Sequence, residues 1–139
     1  MLYDQAQVSM AHLTSQQVND LANQFLALAQ SIGDLRYNYW NDLSKDQHQI
    51  LANQHWSVLH YGEDILSMST VLVMDDVSNS LAMIRALTGK IKSTLDALHD
   101  IQEGINISAA IVSLGAAIIS ENPLAVAGAI EDLVKITKT

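Results

Sequence analysis

The chain of 139 residues has no cysteine, one proline and six glycines. Without cysteine there are no disulfides, no thiolate zinc sites and no cysteine nucleophile. So little proline and glycine leaves too few turns for a β-sandwich or barrel, which needs a turn every ten residues or so, and points instead to a few long helices. Charge is scarce as well, at 16% of residues, and only seven of the charged side chains are basic against fifteen acidic ones. A net charge of −8 argues against nucleic acid as a partner, because that binding needs Lys and Arg to neutralise phosphates. The acidity is uneven: residues 41–80 hold Lys45 against Asp42, Asp46, Glu63, Asp64, Asp75 and Asp76.

What remains is apolar and periodic. Val18, Leu21, Phe25, Leu28, Ile32, Leu35 and Tyr39 recur at alternating steps of three and four, the spacing that lays one face of a helix against a partner. Thr14 with Gln17 has the form of a capping box, so the spacing predicts a helix from about Ser15 to about Asn41. Its phase runs unbroken through Gly33. Helical continuity there predicts that Gly33→Ala stabilises the chain by about 0.5 to 1 kcal/mol.

Ser44 with Gln47 repeats the capping pattern and opens a second helix with two adjacent columns, Leu51, Val58, Ile65, Leu72 and Ala52, Leu59, Leu66, Val73. Gly62 and Ser69 on the same face suit close approach of a neighbouring backbone. Asp75 and Asp76 offer an N-cap for a third helix on Val77, Ile84, Ile91, Leu98 and Ile105, flanked by Leu81, Leu87, Leu95 and Ile101.

The last third has no charged residue from Gly104 to Ser120, and none from Leu124 to Ile130. Asn122 caps and Pro123 suits a first helical position, so the fourth element is broken there, either as a kinked helix or as a hairpin. The expected fold is an all-α, elongated up-down bundle of three long helices plus this broken fourth. It forms one domain over residues 1–139, with residues 1–13 as an N-terminal arm and residues 104–139 as an apolar C-terminal helix pair.

Several groups invite a chemical reading. Asp96, His99 and Glu103 follow helical i, i+3, i+7 spacing, and His60 with Glu63 offers a second set, but carboxylate-bridged metal bundles place Glu-x-x-His motifs inward, whereas His60-Tyr61-Gly62-Glu63 has that order reversed and the phase of the Asp96 stripe points to water. No metal or cofactor is expected. No nucleophile elbow, zinc-helix motif, P-loop or dinucleotide loop is present, so no catalytic residue is assigned. His48 and His55, one heptad apart on the apolar face with Leu51 and Val58, are either core-edge imidazoles satisfied by hydrogen bonds or a pH switch. Tyr37 and Trp40, with Trp56, concentrate aromatic surface near the first interhelical turn, where Trp40 lies off the core stripe and suits a partner contact.

These features favour a non-catalytic interaction or assembly protein that buries its C-terminal helices in the bundle or across a subunit interface, with a protein partner or a homo-oligomer. The alternative is a membrane-active component whose C-terminal hairpin inserts with Glu121, Asn122 and Pro123 at its tip. In general plan, long helices plus an apolar hairpin, the chain resembles α-helical pore-forming toxins; the resemblance covers the plan alone. A small bundle enzyme or metal carrier is the third reading. The opening residues, Met1-Leu2-Tyr3-Asp4-Gln5, lack the basic and apolar regions of a secretory signal, which sets a cytoplasmic expectation with signal-less export open.

Overall fold

The structure, a computed structural model, describes residues 13–68 and 77–137. Among the described residues there are five α-helices and no strand: α1 (Ser15–Asn38), α2 (Lys45–Ser67), α3 (Val77–Asp96), α4 (Ile101–Ile119) and α5 (Pro123–Thr137), with a short 3₁₀ turn at Trp40–Asp42 between the first two. The protein is all-α.

Both expected capping boxes form. The Gln17 amide donates to Thr14 Oγ1 at 3.1 Å while the Gln17 side chain accepts from the Thr14 amide at 2.9 Å, and Ser44 and Gln47 repeat the exchange at the start of α2. Each box satisfies two amides that the first helical turn leaves without partners. The first helix stops at Asn38, slightly short of the expected end, because Trp40–Asp42 tightens into the 3₁₀ turn.

The third helix departs from expectation. Its column of apolar residues at seven-residue intervals predicts helix through Ile105, yet α3 ends at Asp96 and a turn follows. Asp100 then caps α4, its carboxylate accepting from the Gln102 amide at 3.0 Å. Leu98 and Ile105 still face the interior, one from the turn and one from the new helix. The heptad column thus runs across a chain break, and three long helices plus a broken fourth become five helices of 24, 23, 20, 19 and 15 residues. The second helix differs too. Leu51, Val58 and Ile65 are fully buried, but in the adjacent column Ala52 and Leu59 are only partly buried and Leu66 is exposed. The expected positions Leu72, Val73, Ser69, Asp75 and Asp76, and arm residues 1–12, lie outside the described residues.

The break at Asn122 resolves as a hairpin, with α5 folded back along α4. Helix α1 is central: it packs on α2 and α3 and touches α4. Helices α4 and α5 close the bundle, α4 against α2 and α5 against α3. The core joins Phe25, Leu28 and Ile32 of α1 to Ile84 and Ile91 of α3, Ile107 and Ile111 of α4, and Ile130 and Leu133 of α5. Each such aliphatic or aromatic side chain, taken wholly out of water, contributes about 1.5 to 3 kcal/mol before the entropy cost of ordering it. Helices α4 and α5, which carry the two charge-free runs, therefore bury their apolar stripes inside the bundle, and their outward positions include small residues such as Ala109, Ser113, Ala116 and Gly128.

Candidate functional site

The turn between α1 and α2 gathers an aromatic corner. Tyr39 continues the core stripe and donates its hydroxyl to the Leu98 carbonyl at 3.2 Å, tying this corner to the α3–α4 turn. Trp40, one residue on, turns outward and stays 51% exposed, and Tyr37 on the last turn of α1 is 78% exposed. The Arg36 guanidinium lies 4.8 Å from the centre of the Trp40 ring. A cation over an indole contributes about 0.5 to 1 kcal/mol at exposed sites, and a helix C-terminus favours a positive charge. The His48 ring approaches Trp40 from the start of α2, with ring centres 4.4 Å apart, and its Nε2–H donates to the Trp40 carbonyl at 2.9 Å. Among the described residues its Nδ1 is buried without a partner, as is Arg36 Nε. Of the residues singled out from the sequence, the fold thus brings Tyr37, Trp40 and His48 to one corner. It adds Arg36, which sequence reasoning missed because nothing in the spacing marks a cation as stacked.

His55 does not join them. Its Nδ1–H donates to the Ala29 carbonyl of α1 at 2.8 Å, and its ring sits where a Cβ on Gly33 would come within 3.0 Å of two ring atoms. The two heptad-spaced histidines therefore serve separate contacts, each with one N–H on a backbone carbonyl. The helix is continuous at Gly33, as the phase implied, and the missing side chain makes room for an imidazole from α2, a contact that opposes the gain expected from Gly33→Ala.

Trp56 follows on the outer side of α2, 57% exposed, edge-on to His55 at 5.8 Å and to His60 at 6.1 Å. Beside it is an open hollow of about 420 Å³ lined by Asn53, Trp56, Ser57, His60 and Tyr61. Tyr61 closes the inner edge by lying across Gly115 of α4, where a Cβ would sit 2.2 Å from its Cδ2. A glycine in a helix with no turn to make was the one sequence signal that could have marked this contact.

The hairpin tip lies at the other end of α4, a helix of roughly 28 Å at 1.5 Å per residue. Glu121 adopts a left-handed conformation with φ 56°, its amide donating to the Ile118 carbonyl and that of Asn122 to Ala117. This pair of bonds is the helix stop that glycine usually provides. Asn122 then caps α5, its side-chain oxygen accepting from the Ala125 amide at 3.1 Å, and Pro123 takes the first helical position. Next to the tip Leu124 stands 84% exposed.

The carboxylate–histidine sets do not assemble. Asp96 ends α3, His99 lies in the turn and Glu103 is on α4, all exposed, so the helical stripe their spacing suggested is cut by the chain break. Among the described residues no three His, Asp or Glu side chains are placed to hold a metal ion. Arg85 of α3 bonds to Asp20 of α1. That contact, before all else, holds the Asp20 carboxyl below its ordinary value; partial burial opposes it, and a hydrogen bond from Gln24 adds to it. Comparison with protein families, with curated proteins and with solved structures finds no match to this chain.

Proposed function

We propose that this chain is a non-catalytic helical interaction protein whose contact surface runs from the α1–α2 corner along the outer side of α2. The observation that carries the reading is the exposure of Tyr37, Trp40 and Trp56, three of only seven aromatic residues in the chain. The interior has apolar side chains in plenty, so these rings are not outside for want of a core. Trp, Tyr and Arg are the side chains that most often dominate binding energy at protein interfaces, and here Tyr37, Trp40 and Arg36 lie within one turn of chain. The α4–α5 hairpin, with its apolar stripe turned inward, supplies the scaffold. Affinity capture with the wild-type chain and with a Tyr37→Ala/Trp40→Ala/Trp56→Ala variant tests the reading: proteins retained by the wild type are expected to be lost from the variant, and an unchanged set refutes it.

Helix α4 supports the second reading, a membrane-active hairpin. At 19 residues with a mean hydropathy of 1.4 it has the length and composition to cross a bilayer, though half of that stretch is buried within the bundle. The 15 residues of α5 fall short of the roughly 20 that a span requires. Flotation with anionic liposomes separates the readings, since an interaction protein stays with the unbound fraction.

A further inference from the structure

Helix α2 packs mainly on α1 and α4, and its third side faces water. Along that side the residue types fall into three zones. Asp42 and Asp46 are exposed at its start and Glu63 and Asp64 near its end; between them Trp56 and its hollow stand among the uncharged polar side chains of Gln49, Asn53 and His60, with Ile50 exposed about a third of a turn away. Among the described residues none of the four carboxylates has an ion-pair partner, and the one cation on this side is Lys45. The exposed Trp56 ring and its hollow, flanked by unpaired negative charge, are complementary to a helix with basic ends and an apolar side chain at its middle.

We infer that the outward face of α2 docks a cationic amphipathic helix of another protein. The inference rests on the interaction reading above and names the partner's chemistry. Asp46 and Glu63 are 17 residues apart, about 26 Å along α2, so a docked segment of about 18 residues spans the face. An aliphatic side chain from its middle enters the hollow against Trp56 and Tyr61, and Lys or Arg near its two ends meets Asp42 with Asp46 and Glu63 with Asp64. This is the helix-on-apolar-face mode of recognition. The apolar centre supplies affinity, while the rim charges act on association rate and on choice of partner. A second copy of this chain suits the face poorly, because each copy carries a net charge of −8 and would bring the same four carboxylates to an isologous contact.

The test is anisotropy of labelled 18-residue amphipathic peptides titrated with the full chain. One peptide has Leu in its middle turns and Lys near both ends, a second replaces the Leu residues by Ser, and a third replaces Lys by Glu. The Leu–Lys peptide is expected to bind at least 10-fold tighter than either other, and to weaken as salt rises. Trp56→Ala should weaken it at least 10-fold, Asn53→Lys should do likewise by placing a cation in the hollow, and Glu63→Gln/Asp64→Asn should cost about 3- to 10-fold and flatten the salt dependence. Glu103→Gln, away from this face, should change nothing. Equal binding of the Leu and Ser peptides, equal effects of Glu103→Gln and the α2 variants, or self-association in sedimentation that Trp56→Ala abolishes, overturns the inference. If the peptides fail while captured proteins still depend on Tyr37 and Trp40, only this inference falls; loss of that dependence brings down the interaction reading itself.

Discussion

Replacing Gly115 by alanine sets two well-measured tendencies against each other. Alanine within a helix is about 1 kcal/mol more favourable than glycine, so propensity alone predicts a gain. The new Cβ, however, would stand 2.2 Å from Cδ2 of Tyr61 and 2.8 Å from Cγ and Cε2, where ordinary contact requires roughly 3.4 Å or more. The ring must move by more than 1 Å, and the atoms in the way belong to its rigid body, with no flexible end to swing aside. Overpacking of this kind costs about 1 to 3 kcal/mol, so Gly115→Ala is expected to be destabilising by up to about 2 kcal/mol in a urea titration, with the slope unchanged. The same substitution at Gly128 of α5, where no atom of the described residues lies within 4 Å of the new one, should stabilise by about 0.5 to 1 kcal/mol. Tyr61→Ala closes the cycle. In that background Gly115→Ala should become neutral or favourable, giving a coupling of about 1 to 3 kcal/mol between the two positions. If Gly115→Ala and Gly128→Ala raise the midpoint alike, Tyr61 does not lie across α4, and the hollow beside Trp56 loses its inner edge.

Gly33→Ala is expected to cost about 1 kcal/mol through displacement of the His55 ring, and His55→Ala should convert that loss into a gain in the same titration. Glu121→Gly should raise stability by about 1 kcal/mol, since the left-handed conformation at φ 56° is costly for a residue with a Cβ and free for glycine; thermal melting of the pair decides it. The Asp20 carboxyl is held below its ordinary value of 3.8, chiefly by the Arg85 hydrogen bond. Its contribution is present above the unfolded value and disappears as pH falls through the lower folded value, so Asp20→Asn should destabilise at pH 7, by no more than about 1 kcal/mol for a pair with an exposed Arg85, and the difference from the wild type should shrink as pH falls below the ordinary carboxylate range. Ile91→Ala should cost about 2 to 5 kcal/mol, because Ile91 is wholly buried, while Lys90→Ala beside it should be near neutral; equal small effects in urea would show that α3 is not packed on α1 and α5.

Wherever structure is set within one or two turns of chain, it was legible. Thr14 and Gln17, Ser44 and Gln47, and Asn122 with Pro123 mark three helix starts because a cap needs only its own neighbours. The stripe from Val18 to Leu35 identified the most buried face for the same reason: a helix repeats its geometry, so period alone reports which side is wet. The column Val77 to Ile105 misled for a related reason. Seven-residue spacing measures phase, and Leu98 in a turn and Ile105 in a new helix keep facing the core after the helix between them has ended. The Asp100 cap was the local signal that outweighed it.

The candidate surface divides in the same way. That Trp40 lies off the stripe follows from counting residues, and its exposure agrees with the count. That Arg36 lies over its ring, that His48 and His55 bond to different carbonyls, and that Gly33 and Gly115 are recesses for His55 and Tyr61 are matters of which helix lies beside which. By itself the sequence determined the helical class, the caps, the main core face and the break before Pro123, because these depend on propensity, local hydrogen bonds and period. Only the tertiary structure decided that α5 folds back on α4, that these two helices turn their apolar stripes into the bundle, and that α2 keeps Trp56 toward water between exposed carboxylates. Those outcomes depend on contacts between residues far apart in the chain, and periodicity says which face of a helix is buried without saying against what.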